Sequence, residues 1–233
     1  MALKKKKITG NGNRRKLVTA IDPKSPISEQ YRTIRTNIQY SSVDEELRTI
    51  MITSSGPAEG KSTTAANLAI TFAQLGKRVL LVDADLRKPT VHNTFAVNNL
   101  VGFTTVLTKQ AKLENAVLAT EEKHLFILTS GPIPPNPAEL LSSKSMEQFI
   151  EEAKREFDYV LFDTPPLLAV ADPQILANQC DGSILVVYSE KTEIEKAKKA
   201  KELLANAQSK LLGVVLNHKE IKKNDYYYYY GSK

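Results

Sequence analysis

From Arg48 onward the chain is organised by short aliphatic runs. They are Thr49-Ile-Met-Ile-Thr53, Arg78-Val-Leu-Leu-Val82, Leu125-Phe-Ile-Leu128, Tyr159-Val-Leu-Phe162, Ser183-Ile-Leu-Val-Val187 and Leu211 to Leu216. Each is too short for a core helix and too continuous for a strand with one wet face. Each therefore predicts a strand buried on both sides. The segments between them carry helix signals. Gly60 to Leu75 reads as a helix stopped by Gly76. Asp172-Pro173 reads as an N-cap with proline at the first helical position, and Thr192 with Glu195 as a capping box opening a helix to about Gln208. Six such strands separated mostly by helices imply an α/β fold: a doubly wound, mostly parallel sheet flanked by helices, with right-handed crossovers. The loop Gly131 to Pro137 holds too many prolines to be regular.

Ahead of the sheet, Ser25-Pro26 predicts a helix start, and Ile27, Tyr31, Ile34 and Ile38 form one apolar stripe of a helix ending near Tyr40. Glu29, Arg32 and Arg35 lie three apart on another face. The formal net charge of +6 is local: residues 1–16 hold seven basic groups and no acid. Without them the chain has 25 basic and 26 acidic residues. The basic arm reads as a solvated terminus, or as an electrostatic tether worth roughly 1 kcal/mol per basic group at an anionic membrane face. Nucleic acid is disfavoured, because neither aromatics nor a second basic patch accompany the arm. The expected organisation is a basic flexible arm at 1–24, one domain at 25–217 and a flexible tail at 218–233.

A single cysteine, Cys180, excludes an internal disulfide framework, and three scattered histidines show no zinc-ligand spacing. No apolar run is long enough to span a bilayer, and no apolar stretch follows the first lysines as a secretory signal requires. A cytoplasmic location is expected, with any membrane contact made through a partner.

The most informative loop lies between the first strand and its helix. Ser55, Gly56, Pro57, Ala58, Glu59 and Gly60 lead into Lys61, Ser62 and Thr63. After a buried strand, such a loop turns its backbone N–H groups, with the helix N-terminus, into one concavity suited to phosphate oxygens. Lys61 adds a charge for the β- and γ-phosphates, and the Ser62 hydroxyl is a ligand for Mg²⁺. The common pattern places glycine at position 55, where this chain has Ser55 followed by Gly56. Carboxylates for a metal follow other strands: Asp83 and Asp85 after the second, with Arg87 behind them, and Asp163 after a later one. Ligands of a doubly wound sheet bind outside those strand ends. Asp163 is the metal-holding candidate. Of Asp83 and Asp85, one suits metal binding and the other a proton-accepting role. The eukaryotic protein-kinase motifs are absent, as is the lysine that opens the deviant phosphate loop of partitioning ATPases; Gly56 stands at its place.

Taken together, these motifs resemble the bacterial tyrosine kinases, P-loop kinases that accompany capsule and exopolysaccharide operons. The resemblance runs from about Pro23, and is to the stand-alone cytoplasmic type of Gram-positive bacteria. Ser54 to Ser62 stands at the family's Walker A motif, Leu80 to Arg87 at its second Walker motif, and Val160 to Asp163 at Walker B. Glu29, Arg32 and Arg35 match its oligomerisation motif, and Tyr226, Tyr227, Tyr228, Tyr229 and Tyr230 its C-terminal tyrosine cluster.

The resemblance implies a P-loop NTPase fold, ATP and Mg²⁺ as cofactors, and phosphoryl transfer to protein tyrosines, first to the cluster itself. In the implied site Asp83 positions or deprotonates the tyrosine, Asp85 and Asp163 hold the metal shell, Arg87 touches the transferred group and Asn217 meets the adenine. It also implies a homo-oligomeric ring, an octamer by family resemblance, with one tail in a neighbour's site. The other implied partners are the cytoplasmic tail of a separate transmembrane activator, protein-tyrosine substrates and a tyrosine phosphatase. Five consecutive tyrosines behind Lys222 to Asp225 have no apolar partner face, which agrees with a role as accessible acceptors. Two other readings are a surface-switching ATPase and a nucleotide-dependent scaffold; phosphotyrosine formation separates both from a kinase.

Overall fold

A computed structural model describes residues 17–41 and 46–220. Most of the basic arm and the cluster Tyr226–Tyr230 lie outside them. Among the described residues, seven strands form one sheet: β1 (Thr49–Ser54), β2 (Val79–Asp83), β3 (Leu118–Ala119), β4 (Leu125–Leu128), β5 (Tyr159–Asp163), β6 (Gly182–Tyr188) and β7 (Lys210–Asn217). Their spatial order is β3-β4-β2-β5-β1-β6-β7. All pairs are parallel except β3 with β4. The sequence anticipates six of these strands. The seventh, β3, is two residues long and carries no aliphatic run of its own.

The aliphatic runs are continuous because both faces of the sheet are covered. Ile50 and Ile52 pack on one side, where the helix Lys61–Ala73 contributes Leu68 and Phe72. Met51, between them, points to the other side and belongs to the cluster that holds Phe149 and Ile150 of the helix Lys144–Glu156. Truncating a fully buried ring such as Phe72 to alanine costs roughly 3–5 kcal/mol in cores of this kind.

The last run behaves differently from expectation. β7 is an edge strand, and Val214 and Leu216 are half exposed. Its aliphatics cover one neighbour, β6, and among the described residues nothing pairs beyond it. The helix Pro26–Tyr40 forms as expected, capped by the Ser25 hydroxyl accepting from Ser28 N. Tyr31 and Ile38 are buried, but Ile27 is half exposed and stands outside the packed stripe. Residues 17–24, grouped by composition with the arm, are not loose. The short helix Val18–Ile21 docks through Thr19, whose N–H and hydroxyl both donate to Asn67 Oδ1, at 3.0 and 2.9 Å. That contact is polar, so no apolar periodicity announced it.

The parallel register gathers the site. Asp83 at the end of β2 pairs with Asp163 at the end of β5, while β1, next to β5, runs into the phosphate loop. Three separate motifs thus arrive at one edge because their strands are neighbours. Among the described residues, no helix is long and apolar enough to cross a membrane.

Candidate active site

The loop after β1 is bent by two left-handed residues, Ala58 (φ 62°) and Gly60 (φ 95°). Gly60 is required twice over. Its φ is unfavourable for an L side chain, and a Cβ there would stand 1.9 Å from Asn217 Nδ2. The turn releases directly into the helix Lys61–Ala73, whose first N–H groups have no intrahelical partner. A thirteen-residue helix beginning on such a loop is an anion seat by geometry.

Lys61 crosses from that loop to the carboxylates. Its ammonium donates to Asp85 Oδ2 at 3.1 Å, to Asp163 Oδ1 at 3.4 Å and to Ser62 Oγ at 3.2 Å. Burial alone would lower the Lys61 pKa; the charges of Asp163 and Asp85 outweigh it and hold the group above its ordinary value. Each Asp85 oxygen has a partner, Oδ1 accepting from Lys88 N at 2.9 Å. Asp163 differs: among the described residues its Oδ2 is buried without a hydrogen-bond partner.

Asp83 is fully buried, and its Oδ2 accepts from Thr90 N and Val91 N, both at 2.8 Å. Its Oδ1, like Asp163 Oδ2, is buried and has no hydrogen-bond partner among the described residues. Desolvation, and then the charge of Asp163, push the Asp83 pKa up to about 7. Buried acceptors left without donors are uncommon in folded proteins and mark places completed by an ion, a proton or a ligand. The residues therefore fit Mg²⁺: hard oxygen donors from Asp163 and the Ser62 hydroxyl, beside a phosphate seat. Among the described residues no three His, Cys, Asp or Glu side chains converge to cage a metal. A few protein oxygens with phosphate and water completing the shell is the usual arrangement for Mg²⁺.

A family model described as an AAA domain matches residues 47–211. The tyrosine-protein kinase YwqD of Bacillus subtilis (strain 168) is 60% identical over 233 residues, covering 100% of this chain and 98% of its own length. The putative tyrosine-protein kinase CapB of Staphylococcus aureus is 41% identical over 210 residues, 90% of this chain and 92% of that one. The chain belongs to the bacterial tyrosine kinases. Among solved structures, the chimerical protein CapA2B2 superposes with a TM-score of 0.85 at 41% identity, covering 88% of this chain and 90% of that one. The fold is that of the P-loop NTPases.

The other predicted site residues of this kinase are arranged as follows. Arg87 is bound to Asp172, Nε to Oδ2 at 2.8 Å and Nη2 to Oδ1 at 2.9 Å. The fully buried Asp172 is therefore the partner of Arg87, and Ala171, not Asp172, occupies the N-cap of its helix. Ser55 and Glu59 are buried and bonded to each other: Ser55 N and Oγ both donate to the Glu59 carboxylate. Thr192 opens no capping box, since Glu193 is the N-cap of the helix Ile194–Ala205. Its hydroxyl donates instead to Glu59 Oε1 at 2.8 Å and accepts from Tyr188 N at 2.8 Å. Asn217, expected at the base, donates from Nδ2 to the Glu59 carbonyl at 2.9 Å and accepts from His218 N. Tyr188 and His218 stack beside it, ring centroids 4.2 Å apart.

The expected oligomerisation stripe divides. Glu29 and Arg32 pair with each other at the surface, and Arg32 Nη2 also reaches the Pro23 carbonyl at 2.6 Å. Arg35 turns inward and donates to the Thr71 carbonyl at 2.9 Å, on the helix Lys61–Ala73. Asp172 and Thr192 carry local cap signals that, unlike that of Ser25, the structure does not use. Each cap motif was present, but a long-range partner claimed the side chain.

Proposed function

We propose that this kinase transfers the γ-phosphoryl group of ATP, as its Mg²⁺ complex, to protein tyrosines, its own cluster Tyr226–Tyr230 first. The observation that carries the reading is the placement of the Lys61 ammonium between Asp85 and Asp163 at the mouth of the phosphate loop. In this reading the backbone N–H groups of Gly56 and of Ala58 to Thr63 hold the phosphates, and Lys61 exchanges its carboxylate partners for phosphate oxygens. Ser62, Asp85 and Asp163 are the metal-holding residues, Asp163 having the free oxygen. Bound Mg²⁺ would neutralise charge on the β- and γ-phosphates. Asp83, titrating near neutrality, accepts or orients the phenolic proton, which at a pKa near 10 stays on tyrosine until a base is close. Arg87, oriented by Asp172, faces the developing charge.

The wider reading follows the family resemblance. Tail phosphorylation occurs in trans within a homo-oligomeric ring organised by Glu29, Arg32 and Arg35. The cytoplasmic tail of a transmembrane activator recruits the kinase to the inner membrane face and stimulates it. Each phosphotyrosine adds about −1.5 to −2 charges, which expels tails from an acidic site and loosens the ring until a tyrosine phosphatase removes them. The process served is capsule or exopolysaccharide synthesis.

Intact-mass spectrometry after incubation with Mg·ATP, with and without an activator fragment, tests the chemistry. The expected result is stepwise phosphate gain on the 226–230 peptide, lost in Lys61→Met with the fold preserved. ATP consumption or binding with no phosphotyrosine in either condition would overturn the reading.

A further inference from the structure

Glu59 belongs by position to the residues expected to touch phosphate, but its carboxylate is turned away from any such role. It is buried and accepts from Ser55 N and Ser55 Oγ on one side and from Thr192 Oγ1 on the other. Thr192 is itself fixed by Tyr188 N, at the end of β6, and the Glu59 carbonyl is held by Asn217 at the end of β7. One residue of the loop is thus tied to three strand ends. It sits between Ala58 and Gly60, the two left-handed residues that give the loop its curvature. An L residue such as Ala58 does not hold a left-handed conformation without support from its surroundings.

We propose that Glu59 and Thr192 are positioning residues. Through the Thr192–Glu59–Ser55 chain of hydrogen bonds, the turn after β6 holds the phosphate loop in its curved, N–H-inward shape. Neither side chain touches the nucleotide. Their effect is to have the loop ordered before phosphate arrives, so that binding does not bear the entropy of ordering it. The turn at Tyr188–Thr192 also forms one end of a cavity of about 330 Å³ between the sheet edge and the helix Ile194–Ala205. Displacement of that turn would be transmitted to the loop through a single hydroxyl. The affinity part of the proposal rests on the nucleotide reading above; the loop-ordering part does not.

The test uses the full chain with two substitutions, Thr192→Val, which keeps the shape and removes the hydroxyl, and Thr192→Ser, which restores it. Hydrogen exchange of the amides of residues 55–62, read by mass spectrometry without nucleotide, is expected to quicken in Thr192→Val and not in Thr192→Ser. Losing a hydrogen bond to a buried carboxylate should weaken Mg·ATP binding about tenfold in Thr192→Val, with wild-type affinity in Thr192→Ser. Exchange in Thr192→Val equal to wild type would overturn the proposal, as would equal losses in both variants. Should the wild type itself fail to bind Mg·ATP, the nucleotide reading falls, and the exchange comparison alone decides the brace.

Discussion

Arg87 grips the buried carboxylate of Asp172 through two hydrogen bonds of 2.8 and 2.9 Å, joining the second Walker motif to the helix Asp172–Ala177. The pair is asymmetric. Asp172 is fully buried, whereas the Arg87 side chain is 42% exposed. Removing the arginine leaves a buried carboxylate uncompensated; removing the aspartate leaves a guanidinium that water can solvate. Arg87→Ala is therefore expected to cost roughly 1–2 kcal/mol of stability, the low end of charged hydrogen bonds because the arginine is partly solvated. Asp172→Asn should cost less but slow phosphoryl transfer by releasing Arg87. Urea unfolding and tail-phosphorylation rates of the two variants measure both; equal transfer rates in Asp172→Asn and wild type would remove Arg87's orientation from the mechanism.

Asp83 gives a pH signature. Its pKa lies near 4 in the unfolded chain and at about 7 in the native one. Between those values the native state binds more protons, so stability falls as pH rises from about 4 to about 7. The span bounds this group's contribution at a few kcal/mol, on the order of 1.4 per unit. Asp83→Asn keeps an acceptor for Thr90 N and Val91 N and cannot ionise. It should flatten that part of the Tm–pH curve and abolish the rise of kcat/KM through about pH 7 expected of a base. An unaltered Tm–pH curve would show that Asp83 does not titrate there.

Arg35 and the Glu29–Arg32 pair should separate fold from assembly. Arg35 bonds the Thr71 carbonyl inside its own subunit, so Arg35→Ala is expected to lower Tm. The surface pair contributes at most about 1 kcal/mol. Glu29→Ala with Arg32→Ala should leave Tm near wild type while reducing the proposed ring to smaller species. Light scattering beside differential scanning calorimetry distinguishes these outcomes; an unchanged mass in the double variant would reject its place in the ring contact.

Gly60→Ala should damage the loop on two counts. The residue keeps φ at 95°, and its new methyl would meet the Asn217 amide nitrogen at 1.9 Å. The left-handed conformation alone costs roughly 1–2 kcal/mol for an L residue. Adding Asn217→Ala is expected to relieve the clash and not the backbone cost, so Mg·ATP affinity recovers only in part. Full recovery would mean that φ at this position is immaterial.

Much of the fold was legible because it depends on local, periodic signals. Runs such as Val79–Val82 are aliphatic on both faces because both faces are buried, and that alone requires helices above and below. The phosphate loop was legible for a related reason. Gly60, Lys61 and Ser62 are adjacent in the chain, and the backbone N–H groups they present need no distant partner.

Side chains with two competing partners were misread. Thr192 has the spacing of a capping box and Asp172 precedes a proline, yet Glu59 and Arg87 claim them, at sequence separations of 133 and 85 residues. Thr19 lacked any apolar signal because its anchor, Asn67, is polar. Leu211 to Leu216 looked like the other runs, but a run does not reveal whether its strand has one neighbour or two.

The layered sheet, the phosphate loop and the set of acidic residues at strand ends each follow from the chemistry of adjacent residues. Which strand ends are neighbours does not, and on that depend which carboxylates share Lys61, which keeps an oxygen unpartnered among the described residues, and what braces the loop. The reason is physical: hydrogen bonds and charges act over a few ångströms of space, and strand order, which no local pattern encodes, sets those distances.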